Sequence, residues 1–152
     1  MEQFFGQLGL ALALGLGALG SAIGIGAAGR AAAGAWAKEA KAGRPLNFAY
    51  IILTGMPLTQ TIYGFILMLS LREKVYDPAI LARSAGALLT IGIAGGLAEL
   101  FSAWMQGLIG AAGCRALSEG EGKGLVFIII AMGIAETVGL FGFAFLLLVM
   151  PK

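Results

Sequence analysis

Two carboxylates and several neutral polar side chains stand inside stretches that are otherwise apolar: Thr59, Gln60, Tyr63, Glu99, Gln106, Glu136 and Thr137. Glu136 is the only charged residue of the run 125–150. A carboxylate at mid-depth in a bilayer costs several kcal/mol even on lenient insertion scales, so such acids are rare and usually functional. Gly133 and Gly139 flank Glu136 at three residues on either side. They keep that face thin, so that a second helix can approach or a small ion can be enclosed. The alternative is an acid hidden against a neighbouring helix with no transport role.

The other polar residues cluster by spacing. Gln60 and Tyr63 are three apart and share one helical face. Pro57 precedes them; it has no N–H, so the carbonyl of Leu53 loses its usual partner, and loosened carbonyls are suitable ligands for an alkali cation. Counted from the middles of the adjoining polar links, Gln106 lies 14 residues before Gly120, Glu136 lies 16 after it, and Gln60 lies 18 after Ala42. Antiparallel helices thus bring all three to nearly one depth. One carboxylate, two amides, two hydroxyls and a carbonyl at one level suit a hard, weakly hydrated cation with oxygen ligands. A hydrogen-bonded cluster that only ties helices together would use the same residues. Glu99, seven residues before Gln106, has no Lys or Arg of its own half near its level and must be protonated, bridged by water or bonded to a hydroxyl. Glu99 and Thr137 are accessory candidates. The chain has no His, and its Gly-rich runs lack the Lys-Ser/Thr ending of a phosphate-binding loop, so neither a usual general base nor a nucleotide site is present.

The elements that must position these groups follow from composition. The chain is 59% hydrophobic and 12% charged, with a mean hydropathy of +0.93. Soluble domains carry about 25% charged residues, so this is an integral membrane protein. The net charge of +2 argues against nucleic-acid binding. Four apolar spans are expected, at about 4–37, 46–71, 79–117 and 125–150, joined by polar links at 38–45, 72–78 and 118–124. Links this short make two antiparallel hairpins and place both termini on one side. Six Lys or Arg surround the first and third links and four lie on the opposite side. The excess places links 38–45 and 118–124 in the cytoplasm. The N-terminal run lacks a basic n-region and is read as the start of a mature membrane helix.

The hairpins repeat, which divides the chain at 1–76 and 77–152. Superposing Gly64-Phe65 on Gly142-Phe143 pairs Thr59 with Thr137 and Leu58 with Glu136, and Ser21-Ala22 corresponds to Ser102-Ala103. Only the second half keeps the carboxylate. Gly20, Gly24 and Ala28 form a small-residue series on the first helix, fit for a tight bundle or for the crowded inner wall of a ring.

With these motifs in place, Pro57, Thr59-Gln60-x-x-Tyr63-Gly64-Phe65, Phe101-Ser102-x-x-x-Gln106-Gly107 and Glu136-Thr137-x-x-x-x-Gly142-Phe143 resemble the duplicated rotor-ring proteolipid of V/A-type rotary ATPases, the membrane K (c-type) subunit in its sodium-binding form. The resemblance implies an all-α fold of four transmembrane helices in a ring of identical subunits. That ring turns against a stator subunit, is joined to central-stalk subunits and is embedded in lipid. It implies Na⁺, or alternatively H⁺, held by Thr59, Gln60, Gln106, Glu136 and the Met56 carbonyl, with Tyr63 bonded to the Glu, and no catalysis by the subunit itself. Glu99 departs from the pattern, which has a small or neutral residue there. Two other classes compete: a small four-helix proton-coupled exporter, whose acid would sit in the first helix, and a structural pore-forming proteolipid, in which Glu136 would be dispensable.

Overall fold

In hydrocarbon only the helical ladder satisfies every backbone N–H and C=O within one segment, and each apolar span folds accordingly. The computed structural model describes residues 1–152 and contains helices α1 (Glu2–Lys41), α2 (Ala49–Gly55), α3 (Thr59–Val75), α4 (Pro78–Glu119) and α5 (Leu125–Leu148). Four spans are long and apolar enough to cross a membrane, α2 and α3 together forming the second. With 40 and 42 residues, α1 and α4 are each about 60 Å long at about 1.5 Å per residue, twice a bilayer core of about 30 Å.

Local chemistry sets the ends. Asp77 caps α4, its Oδ1 accepting the N–H groups of Ala79 at 2.9 Å and Ile80 at 3.2 Å, and Pro78 occupies the first helical position where no donor is needed. Lys38 and Lys41 close α1, where cations complement the exposed carbonyls. The turn before α5 uses Gly122 and Gly124 at φ of 87° and 93°.

The second span differs from the single run 46–71 expected from composition. It starts at Ala49, runs on to Val75, and is interrupted at Met56–Leu58 by one 3-10 turn. Pro57 causes the break, because its ring crowds the carbonyl four residues back and it donates nothing. The freed Leu53 carbonyl points at α4, where a Cβ on Gly110 would stand 2.9 Å from it. Arg72 and Lys74, expected in the link, form the last turn of α3, which their charge favours.

Helices α1 and α4 run parallel and make the main contact. Gly9 meets Leu88 and Gly92, Gly20 meets Leu100, and Gly24 meets Ala103 and Gly107. Side chains at these points would overlap the partner's backbone, so glycine sets the separation. Helix α3 lies against both, and α5 lies against α4. Two apolar clusters result. Tyr50, Leu53, Cys114, Leu117 and Met132 fill the end nearest the first and third links, and Leu67, Leu71, Val75, Leu88 and Ile91 fill the opposite end. The buried polar side chains Gln60, Glu99, Ser102 and Gln106 lie in the layer between them. Helix α5 is the least covered, with Phe127, Ile134, Val138 and Phe145 exposed.

Gly9→Ala places a Cβ 2.6 Å from the Leu88 carbonyl oxygen, whereas a Cβ on Gly86 meets nothing within 4 Å. Overpacking of this kind costs about 1–3 kcal/mol. Thermal unfolding in mild detergent should show Gly9→Ala destabilised by that amount. Gly86→Ala should be neutral or stabilised by up to about 1 kcal/mol.

Candidate functional site

The 3-10 turn at Pro57 aims the first turn of α3 at α4, which buries Gln60 completely. Ser102 and Gln106 are four residues apart on α4 and therefore lie one above the other on its inner face. Glu136 comes from α5 and is half-buried, and Tyr63 reaches it from α3.

These groups form one continuous network. The Thr59 hydroxyl lies 3.1 Å from the Met56 carbonyl oxygen and 3.1 Å from Gln60 Oε1. Gln60 Nε2 donates to Ser102 Oγ at 3.0 Å and to Gln106 Oε1 at 3.2 Å. Gln106 Nε2 donates to Glu136 Oε2 at 3.1 Å and to the Met132 carbonyl at 3.2 Å. The Tyr63 hydroxyl donates to Glu136 Oε1 at 3.2 Å, and its ring stacks on Phe143 with centroids 5.8 Å apart. Both carboxylate oxygens of Glu136 therefore hold a neutral donor. The amides point their N–H ends towards the acid and pass their own oxygens back along the network, so each bond polarises the next.

The same amides can also present their other end. A primary amide carries two donors on one side and an acceptor on the other, and the terminal torsion of Gln is broad. Turned end for end, Gln60 and Gln106 present oxygens where they now present N–H. With Glu136, Thr59 and the Met56 carbonyl they then supply an all-oxygen set for a hard cation.

Thr59, Gln60, Tyr63, Gln106, Glu136 and the Met56 carbonyl, all singled out from the sequence, are brought together. Thr137 stands apart: it is exposed, and its hydroxyl donates back to the Ile134 carbonyl at 2.7 Å on its own helix. Gly133 has nothing within 4 Å of an added Cβ, whereas Gly139 faces Glu99 and Ser102. Glu99 is fully buried and bonds to no hydroxyl. Sequence reasoning missed Ser102 as a working part of the site. It accepts from Gln60 and donates to the Ala135 carbonyl at 2.8 Å, joining three helices. Its spacing of four from Gln106 was the available signal. In the first half the matching Ser21 only accepts from the Thr61 hydroxyl at 2.8 Å, and Leu58 takes the place of the acid.

Two similarities to known proteins bear on this arrangement. The family of the ATP synthase C subunit matches residues 8–71 and, separately, 89–149. The chain is 34% identical over 153 aligned positions to the A-type ATP synthase subunit K of Methanocaldococcus jannaschii. The alignment covers 95% of this chain and 61% of that protein, so the chain spans less than two thirds of its relative's length.

Tyr63→Phe keeps the stack on Phe143 and removes one donor to Glu136. A hydrogen bond to a charged group is worth about 1.5–3 kcal/mol, so the carboxylate should become more reactive. Mass spectrometry of carbodiimide-treated protein should show faster labelling of Glu136 in this variant by about tenfold. An unchanged rate would mean that the bond to Tyr63 does not restrain the acid.

Proposed function

The chain belongs to the family of the ATP synthase C subunit, and on that premise we propose that it is a rotor-ring subunit of an A/V-type rotary ATPase that carries Na⁺ on Glu136. The observation that carries this reading is the unbroken network from the Met56 carbonyl through Thr59, Gln60 and Gln106 to Glu136. A proton needs one carboxylate oxygen and one acceptor. Two buried amides, a threonine and the Met56 carbonyl are more than a proton needs and enough for Na⁺.

The mechanism follows from charge. An empty, ionised Glu136 is costly to expose to lipid, even with Tyr63 and Gln106 bonded to it. Bound Na⁺ neutralises it, and the loaded subunit then turns through the bilayer. Half-burial of Glu136 suits exchange, since the acid sits at the accessible edge while the amides form the fixed back wall. At a stator subunit, a basic residue and a water path let one ion leave and another enter. Identical subunits form the ring, the exposed apolar face of α5 meeting lipid or stator. The rotor protein hydrolyses nothing itself; ATP chemistry belongs to partner subunits. The duplicated halves 1–76 and 77–152 supply one ion-carrying acid per four helices. Links 38–45 and 118–124 face the cytoplasm and the central stalk.

Glu136→Gln should leave assembly intact, because the amide is nearly isosteric, and abolish ion transport and carbodiimide labelling at that position. Millimolar Na⁺ should slow labelling of Glu136 at fixed pH, and Gln106→Leu should weaken that protection about tenfold or more, the loss of one bond to a charged group. Transport by the Glu136→Gln protein would refute the site. Labelling insensitive to Na⁺ would make the cargo a proton.

A further inference from the structure

Glu99 is the one acid of the membrane interior that the network around Glu136 does not use. Its side chain is 0% exposed, and neither carboxyl oxygen has a hydrogen-bond partner. It sits where three helices meet. A Cβ on Gly17 of α1 would stand 3.3 Å from Glu99 Cβ, and one on Gly139 of α5 would stand 2.7 Å from Glu99 Oε2. The same point on Gly139 lies 2.9 Å from Ser102 Oγ. Two glycines on two different helices therefore make room for this carboxyl group.

Nothing nearby can neutralise an ionised Glu99. No Lys or Arg occurs at 1–29, 46–71, 84–114 or 124–151, the stretches that surround it. The titratable groups within electrostatic reach are Glu136 on α5 and Tyr63 on α3; the first is itself an acid and the second is committed to it. Helix α1 offers no titratable group among residues 3–29. The Ser102 hydroxyl, which borders the same point on Gly139, gives its only hydrogen to the Ala135 carbonyl. It has no donor left for a neighbouring carboxylate. An ionised Glu99 therefore finds no donor in Ser102, and neither of its oxygens is bonded to any other group.

We propose that Glu99 is a second cation site in each subunit, distinct from Glu136, and that its ligand is a resident proton. The two carboxyl oxygens of Glu99, with no other group bonded to them, are too few for Na⁺, whereas a proton binds covalently to one of them. Complete burial keeps the site away from lipid and from any stator, so this proton is held through the rotation cycle and is not cargo. By staying neutral it adds no charge to a subunit whose only moving charge is at Glu136. The inference stands whether Glu136 carries Na⁺ or H⁺.

Infrared difference spectroscopy of the intact detergent-purified oligomer, wild type minus Glu99→Gln, tests this with a readout independent of transport. The expected result is loss of one protonated-carboxyl C=O band per subunit, unchanged by saturating Na⁺ and still present in Glu136→Gln. If the difference spectrum shows the paired bands of an ionised carboxylate, or if the acid band is replaced by them on adding Na⁺, the proposal is wrong. Because Glu99→Gln could disturb packing, the wild-type spectrum in saturating Na⁺ is a second measurement. Absence of any protonated-carboxyl band there overturns the proposal without a variant.

Discussion

A carboxylate in the middle of a membrane span has no water to solvate it, and in this chain it has no Lys or Arg at its level either. Everything around Glu136 answers that constraint with neutral donors. Tyr63 and Gln106 each give one hydrogen bond to one oxygen, and Gln60, Ser102 and Thr59 orient Gln106 from behind. A fixed cation would have held the acid more tightly and would also have competed with any ion arriving from outside. Neutral amides stabilise the charge without cancelling it.

Two amides and a carboxylate on three helices can meet only if the backbones come close. The parallel pair α1 and α4 achieves this through glycine: Gly24 against Gly107 and Gly9 against Gly92 bring backbone to backbone. Gly64 does the same for α3 against α1, where a Cβ would stand 2.7 Å from the Ala13 carbonyl oxygen. Without the hydrophobic effect to drive association in lipid, such contact and the buried hydrogen bonds are what hold the helices. The high glycine content, unfavourable for a helix in water, is therefore the condition for the site.

The link end is held differently. Glu39, on the last turns of α1, is 4% exposed. Its carboxylate accepts the Asn47 N–H at 2.9 Å and the Tyr50 hydroxyl, while the Trp36 indole donates to the Asn47 carbonyl at 3.0 Å. The Arg44 guanidinium reaches across to the Ser118 carbonyl at 3.3 Å, joining the first link to the third. These bonds fix where the second span begins, and thereby where Pro57 breaks it.

Much was legible in the sequence because the membrane leaves few choices. Apolar length determined four helices, short links determined hairpins, and the rarity of polar groups in apolar runs picked out Thr59, Gln60, Tyr63, Gln106 and Glu136. Counting from the links gave their common depth, since the rise per residue is fixed. Rotation about each helix axis was not legible, because it depends on which faces pack. Only the tertiary structure decided that Thr137 turns outward, that Ser102 joins the site, and that Glu39, which reads as a solvated link residue, is buried. It also decided the environment of Glu99. Spacing of seven from Gln106 puts both on one side of α4, but the glycines that enclose this acid lie on α1 and α5, and only packing brings them to it.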